Sequence, residues 1–130
     1  MKHANHLLLE KIYSDFDHGK FESIMEACDP KITFNVPGKS TLAGKYDRSN
    51  FITSFLVKLK EISNGTFKTE VHDILANDRH AVVLASDTLT QSGQKSEYRT
   101  VHVWRFENGK PVAWYEYPRD LYQYDAIFGK

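Results

Sequence analysis

Three ionisable residues, Asp87, His102 and Glu116, lie in segments that alternate between apolar and polar residues. Such alternation is typical of β-strands, whose successive side chains point to opposite faces of a sheet. A carboxylate in apolar surroundings has a raised pKa and can act as an acid or a base near neutral pH. A histidine changes its charge in the same pH range and can donate or carry a proton. The three residues therefore indicate proton-transfer chemistry, provided that they share one face of the sheet.

The strand predicted at 95–106 has two faces of different character. Its even-numbered residues are the more aromatic ones and include a single histidine, so we assign them to the inward, concave face. Its odd-numbered residues are charged residues and valines, which we assign to the outer face. The inward residues expected to line a pocket are Tyr98, His102, Trp104 and Phe106.

The preceding hairpin decides whether Asp87 joins His102. A two-residue turn at Gly93-Gln94 predicts a register with His102 opposite Ala85 and Thr100 opposite Asp87. Asp87 then shares the inner face with His102. A slip of one residue would move Asp87 to the other face, because side chains alternate with a period of two.

The last hairpin decides which way Glu116 points, and two turns are compatible with its sequence. If 107–109 form a type I turn with a glycine bulge, Glu116 lies opposite Thr100 and faces inward. If Asn108-Gly109 form a two-residue type I′ turn, Tyr115 and Tyr117 face inward instead. We favour the bulge, because it keeps the aromatic residues of both strands on one face.

The elements that must position these residues fall in a clear order along the chain. Apolar residues at helical spacing predict three helices, and alternation predicts one short strand and then four long ones. The predicted helices are 8–16, 21–27 and 52–62, and the predicted strands are 32–36, 66–76, 80–91, 95–106 and 111–119. Helices followed by antiparallel strands indicate an α+β fold. We expect three N-terminal helices on the concave face of a curved, mostly antiparallel sheet, around a pocket.

Composition excludes several classes of partner. The 130 residues carry 17 basic and 17 acidic residues, so no basic surplus favours nucleic acid or an anionic membrane. This length predicts a single domain, 1–130. Cys28 is the only cysteine, which excludes an internal disulfide and favours a reducing cytoplasm. We expect no signal peptide, because the N-terminus lacks an apolar core, and no membrane span. A net charge near zero favours self-association.

The order of elements, together with the segment HVWRFENGKPVAWYEY at 102–117, resembles the nuclear-transport-factor-2-like superfamily. Within it, the chain is most similar to the SnoaL-like polyketide cyclase and ketosteroid isomerase branch. The resemblance covers essentially the whole chain. It implies a cone-shaped fold with a deep pocket and a homodimer formed through the outer face of the sheet. Because this superfamily contains both enzymes and non-enzymes, it does not imply one activity.

The resemblance also implies roles for particular residues. His102 matches the pocket histidine of SnoaL-like cyclases, and Glu116 or Asp120 matches their acid/base aspartate. The general base of ketosteroid isomerases would fall on Val36, which cannot abstract a proton, so steroid isomerase activity is not implied. The isomerase tyrosine would fall beside Tyr13.

Three hypotheses follow for the function. The first is a cofactor-independent acid/base enzyme acting on a small apolar carbonyl compound, with His102 and one of Glu116, Asp87 or Asp120 moving the proton. The second is a non-catalytic binding module for a hydrophobic metabolite, and the third is a dimeric interaction domain whose pocket is filled by its own aromatic residues. We expect no cofactor and no metal ion. The residues expected to line the pocket are Tyr13, Phe34, Val36, Tyr98, Trp104, Phe106 and Trp114.

Overall fold

The structure of the protein, a computed structural model, describes residues 1–129. The helices are α1 (Ala4–Asp17), α2 (Phe21–Ala27), a π-helix (Phe51–Leu56) that continues directly into α3 (Val57–Ile62), and α4 (Leu121–Phe128). The strands are β1 (Thr33–Val36), β2 (Gly44–Asp47), β3 (Lys68–Ala76), β4 (His80–Gln91), β5 (Gln94–Glu107) and β6 (Lys110–Pro118). None of these helices is long and apolar enough to cross a membrane.

The six strands form one curved sheet in the order β2-β1-β6-β5-β4-β3. All neighbouring pairs are antiparallel except β1 and β6, which run parallel. The buried apolar residues of the helices pack against one face of this sheet to form the core. The predicted α+β class and mostly antiparallel sheet are confirmed.

The three predicted N-terminal helices are present, but the structure adds α4 and the short strand β2. Helix α4 follows β6 closely, and its first turn is capped by Asp120, whose carboxylate accepts a hydrogen bond from the Gln123 backbone N–H at 3.1 Å. The helix buries Tyr124 and Phe128, four residues apart, against the core. Strand β2 has four residues, none of them buried, so its sequence carries no alternation that could have predicted it.

The third predicted helix begins as a π-helix rather than as a regular α-helix. Its Phe51 and Phe55 stack with ring centroids 5.0 Å apart, and Phe51 also stacks on Phe34 of β1 at 3.7 Å. Short π-helical turns are frequent at functional sites. Here the π-helix brings two aromatic rings to the concave side of the sheet.

The turn between β4 and β5 lies one residue earlier than predicted. Ser92 and Gly93 both have positive φ, of 50° and 78°, as a two-residue type I′ turn requires. The predicted partners of His102 and Asp87 are therefore wrong by two positions: His102 lies opposite Val83, and Asp87 lies opposite Tyr98. A shift of two leaves every side chain on its predicted face, so Asp87 and His102 still face inward.

The hairpin between β5 and β6 combines features of both predicted turns. Asn108 and Gly109 have φ of 51° and 76° and form a two-residue turn, so the predicted bulge at the turn is wrong. The bulge lies further along β6, where Val112 has no partner in the register. This extra residue restores the predicted parity, and Glu116 faces inward. Its partner is His102 and not Thr100, as the turn bulge had predicted.

Candidate functional site

A cavity lies between the concave face of the sheet and the helices. Its volume, taken as the space open to the centre of a water molecule, is about 80 Å³. A single water molecule needs only about 10–15 Å³ by the same measure. The aromatic residues therefore do not fill the hollow, which argues against the hypothesis of a plugged pocket.

Most of the predicted site residues line this cavity. They are Tyr13, Phe34, Asp87, Tyr98, His102, Trp104, Trp114 and Glu116. Val36 and Phe106 are buried in the core but do not line the cavity. Asp120 is exposed at the start of α4, outside the cavity. The walls also contain residues that the sequence did not single out as site residues: Phe51, Phe55, Thr69 and Tyr124 are among them.

His102 is held on both sides of its ring. The Tyr13 hydroxyl lies 2.5 Å from Nδ1, and the rings of Tyr13 and His102 are stacked with centroids 5.8 Å apart. On the other side, Nε2 lies 3.5 Å from Oε2 of Glu116. A nitrogen that faces a carboxylate oxygen carries a proton, so we assign the neutral ring as the Nε2–H tautomer, with Nδ1 accepting from Tyr13.

Trp104 fixes the direction of the Tyr13 hydroxyl. Its indole Nε1–H donates to the Tyr13 oxygen at 3.2 Å. Burial raises the pKa of Tyr13, so its hydroxyl keeps its proton. Because the oxygen already accepts from Trp104, its own O–H is directed to His102. The phenol of Tyr13, on α1, thus links the indole of Trp104 to the imidazole of His102, both on β5.

Glu116 is a buried carboxylate whose two oxygens are both occupied. Oε1 accepts a hydrogen bond from the Tyr124 hydroxyl at 2.9 Å, and Oε2 accepts one from the Thr100 hydroxyl at 3.0 Å. The third neighbour is His102, whose Nε2 also faces Oε2. At 3.5 Å the contact between Nε2 and Oε2 is too long for a strong hydrogen bond. The Nε2–H group is therefore a donor that a bound molecule could engage.

Asp87 differs from Glu116 in that one of its oxygens lacks a hydrogen-bond partner. Its side chain is 2% exposed, and among the described residues Oδ1 has no hydrogen-bond partner. Burial raises the pKa of Asp87 to about 6; His102 opposes the shift, and the negative charge of Glu116 adds to it. A buried acceptor without a donor is costly for a fold and requires an explanation. At neutral pH such a group can gain or lose a proton readily.

The raised pKa of Asp87 predicts how stability depends on pH. Its ordinary value is 3.8 and its folded value about 6, so the folded protein binds the proton more tightly than the unfolded chain. Stability therefore falls as pH rises from about 4 to about 6, by roughly 3 kcal/mol for a shift of this size. Urea unfolding of wild type and Asp87→Asn at pH 4.5 and 7 isolates this effect. We expect the free energy of unfolding of the variant, relative to that of the wild type, to be higher at pH 7 than at pH 4.5. A difference that is the same at both pH values would contradict the assignment.

The same cluster contains the residues that could hold a metal ion. One nitrogen of His102 and one oxygen each of Asp87 and Glu116 lie within 4.8 Å of one another. An imidazole with two carboxylates is a set that divalent transition metals accept. However, both oxygens of Glu116 already accept hydrogen bonds from hydroxyl groups. Glu116 would therefore bind such an ion through the lone pairs that these two hydrogen bonds leave free.

The fold and the cavity define a class of protein: an α+β cone that encloses an acid–base cluster in an aromatic hollow. The chain belongs to the SnoaL-like domain family, whose family model matches residues 9–114. This match includes Asp87 and His102 and ends before Glu116. The predicted membership of the nuclear-transport-factor-2-like superfamily is confirmed. No curated protein matches the chain by sequence.

Solved structures share the fold at low identity. Bal32a, from a soil-derived mobile gene cassette, is 23% identical over 97% of each chain, with a TM-score of 0.88. TerC, co-crystallised with polyporic acid, is 19% identical over 98% of this chain and 100% of its own, with a TM-score of 0.83. An LEH-like epoxide hydrolase of M. tuberculosis is 15% identical over 96% of this chain and 89% of its own, with a TM-score of 0.72. At these identities the similarity extends to the fold alone.

Proposed function

We propose that the protein is a cofactor-independent acid/base enzyme that moves a proton on a small, apolar carbonyl compound. The observation that carries the proposal is the buried, unpartnered oxygen of Asp87 in the wall of an apolar cavity. Because its pKa is raised to about 6, Asp87 is ionised at neutral pH and yet basic enough to accept a proton. Among the predicted acids, Asp87 takes this role and Asp120 does not, since Asp120 lies outside the cavity.

The geometry supports a proton transfer next to a carbonyl group. The carbonyl oxygen of the substrate accepts a hydrogen bond from His102 Nε2–H, while the neighbouring C–H faces Asp87. Asp87 takes the proton, the C–H electron pair becomes the enolate, and the negative charge that develops on oxygen is stabilised by His102. Returning the proton from Asp87 to another carbon completes an isomerisation. The cluster is compact enough for one such group to reach both residues.

The remaining polar residues hold the histidine in place. Tyr13 and Trp104 fix the Nδ1 side, and the carboxylate of Glu116 lies 3.5 Å from Nε2. Tyr124 and Thr100 in turn orient the carboxylate of Glu116. Supporting hydrogen bonds of this kind keep a reactive group within the small tolerance that catalysis requires.

The test is deuterium exchange of β-tetralone, a two-ring ketone whose acidic C–H groups report on any base beside a carbonyl. We expect the wild type to exchange these protons in D2O faster than buffer does, with a rate that rises as pH passes through about 6, because ionised Asp87 is the base. Asp120→Asn, a change outside the cavity, should leave the rate unaltered. Saturable binding without exchange would instead support the binding-module hypothesis. Binding can be followed by fluorescence, because both tryptophans, Trp104 and Trp114, line the cavity.

We also propose that two copies associate through the outer face of the sheet. Two rows of apolar side chains cross this face: Leu75, Val82, Val103 and Tyr115 form one, and Leu84, Val101 and Tyr117 form the other. Leu84 is 37% exposed and Tyr117 56% exposed in the single chain. Contiguous apolar patches of this kind mark association surfaces.

Tyr117→Lys should weaken this dimer. We expect sedimentation velocity to show a dimer for the wild type and a dissociation constant at least roughly tenfold higher for the variant, because buried tyrosines dominate interface energies. Tyr122→Lys is the matched control, since Tyr122 is an exposed tyrosine on α4. A monomeric wild type, or equal effects of the two substitutions, would contradict the proposal.

A further inference from the structure

We propose that Asp87 determines ligand specificity and that the cavity takes a compact, ring-containing hydroxy ketone whose hydroxyl group donates to Asp87 Oδ1. The carbonyl part of this assignment rests on the proposed function. The hydroxyl part rests on the hydrogen bonds of the cavity itself and is tested by binding alone.

The hydrogen-bond donors of the cluster are already engaged. The indole of Trp104 donates to Tyr13, the phenol of Tyr13 to His102, and the hydroxyls of Thr100 and Tyr124 to Glu116. Each of these donors is committed to an acceptor other than Asp87. The hydroxyls of Tyr98 and Thr69 also face Asp87 and oppose the rise of its pKa, but neither makes a hydrogen bond to Oδ1. A bound molecule can therefore supply the donor that Oδ1 lacks.

The acceptor that lacks a donor is well defined. Asp87 projects from β4 into the cavity at a position that is 2% exposed, and Oδ1 is unpartnered among the residues that the structure describes. A buried polar site rejects molecules that cannot pair with it, because its polar atom then stays unsatisfied. An ionised carboxylate makes strong hydrogen bonds with hydroxyl groups. An apolar molecule without a hydroxyl group leaves Oδ1 without a hydrogen-bond partner.

The second polar position is the loosely engaged Nε2–H of His102, which suits a carbonyl oxygen. A nitrogen of His102 and an oxygen of Asp87 lie within 4.8 Å of each other, so a carbonyl and a hydroxyl on neighbouring carbons can reach both. The rest of the wall is apolar and mostly aromatic, which suits a ring. The aromatic wall residues that suit contact with a ring are Phe34, Phe51, Phe55, Trp104 and Trp114.

Ionisation of Asp87 should tune this preference. Above its pKa of about 6 the carboxylate is an acceptor only, and below it the acid can donate to a second carbonyl oxygen. The hydroxyl preference is therefore larger at pH 8 than at pH 5. The titratable groups that face Asp87 from α1, β5, β6 and α4 are Tyr13, Tyr98, His102, Glu116 and Tyr124. Burial raises the pKa values of the three tyrosines, so these stay neutral over this range.

The experiment compares three one-ring probes by isothermal titration calorimetry: α-hydroxyacetophenone, α-methoxyacetophenone and acetophenone. The ether is larger than the alcohol and acetophenone is smaller, so a steady increase or decrease of affinity with size cannot make the alcohol the tightest ligand. We expect the wild type at pH 8 to bind the alcohol roughly tenfold or more tightly than either comparator, as a hydrogen bond to a charged group implies.

Variants at Asp87 test whether this residue is responsible. Asp87→Ala should bring the three affinities to within about twofold, and Asp87→Asn should reduce the preference while preserving the shape of the site. Asp120→Asn should keep the full preference. Equal affinities in the wild type, no binding of the alcohol, or a preference that survives Asp87→Ala would each overturn the assignment. The deuterium exchange of β-tetralone is measured separately. If the wild type prefers the alcohol but does not catalyse this exchange, Asp87 is a binding residue only.

Discussion

Asp87→Asn is expected to slow the deuterium exchange of β-tetralone by roughly 100- to 10,000-fold, the range that a general base contributes. The amide has nearly the same shape as the carboxyl group but cannot take up the proton. The effect should fall on the rate constant of bound ketone rather than on its affinity, because the ketone carries no hydroxyl for Asp87 to bind. Exchange rates from NMR at saturating and limiting ketone concentrations separate the two quantities.

The same variant should become more stable while it loses activity. At neutral pH Asp87 is a buried, ionised group whose Oδ1 lacks a hydrogen-bond partner, and neutralising it removes the cost of burying that charge. A catalytic group held at the expense of stability is the signature that we expect. If Asp87→Asn exchanged at the wild-type rate, Asp87 would not be the base. If it lost both activity and stability, Asp87 would be part of the structural framework.

Glu116→Ala is expected to lower the free energy of unfolding by about 3–5 kcal/mol, the opposite sign to Asp87→Asn. The substitution leaves the hydroxyls of Tyr124 and Thr100 without their acceptor and removes the partner of His102 Nε2. Each buried polar group left unpaired costs about 1–3 kcal/mol. Urea unfolding at pH 7 measures the change.

Two further variants serve as controls for Glu116→Ala. Glu116→Gln keeps an oxygen acceptor in place and should cost only about 1 kcal/mol. Glu97→Ala removes an exposed glutamate from β5 and should have almost no effect. Should Glu116→Ala prove as harmless as Glu97→Ala, the hydrogen bonds around Glu116 would not be stabilising. The two inward carboxylates would then not differ in role as their surroundings indicate.

The sequence predicted the faces of the strands better than their register. Alternation, combined with the turns favoured for the two hairpins, placed Asp87, His102 and Glu116 on one face, and the structure agrees. The pairing of residues depended on turn conformations, because Ser92 and Asn108 adopt positive φ that only the folded hairpins reveal. Both predicted registers were wrong by two positions. Because side chains alternate with a period of two, such a shift leaves each residue on its predicted face.

The parts of the site that the sequence missed come from elements with weak local signals. Helix α4 is eight residues long and delivers Tyr124, the hydroxyl donor to Glu116. The spacing of Tyr124 and Phe128 and the capping residue Asp120 could have identified that helix, but Asp120 was assigned to the site instead. The unpartnered state of Asp87 lay beyond sequence reasoning, since it depends on where every neighbouring donor points.

The most direct test is a carbon-13 NMR titration of the side-chain carboxyl group of Asp87, with its signal assigned by the loss of one resonance in Asp87→Asn. The buried, unpartnered carboxyl described above predicts a titration midpoint of about 6. A midpoint near 4, the value of an ordinary exposed aspartate, would contradict it. The carboxyl group would then be solvated or paired, and the proposed base would be lost.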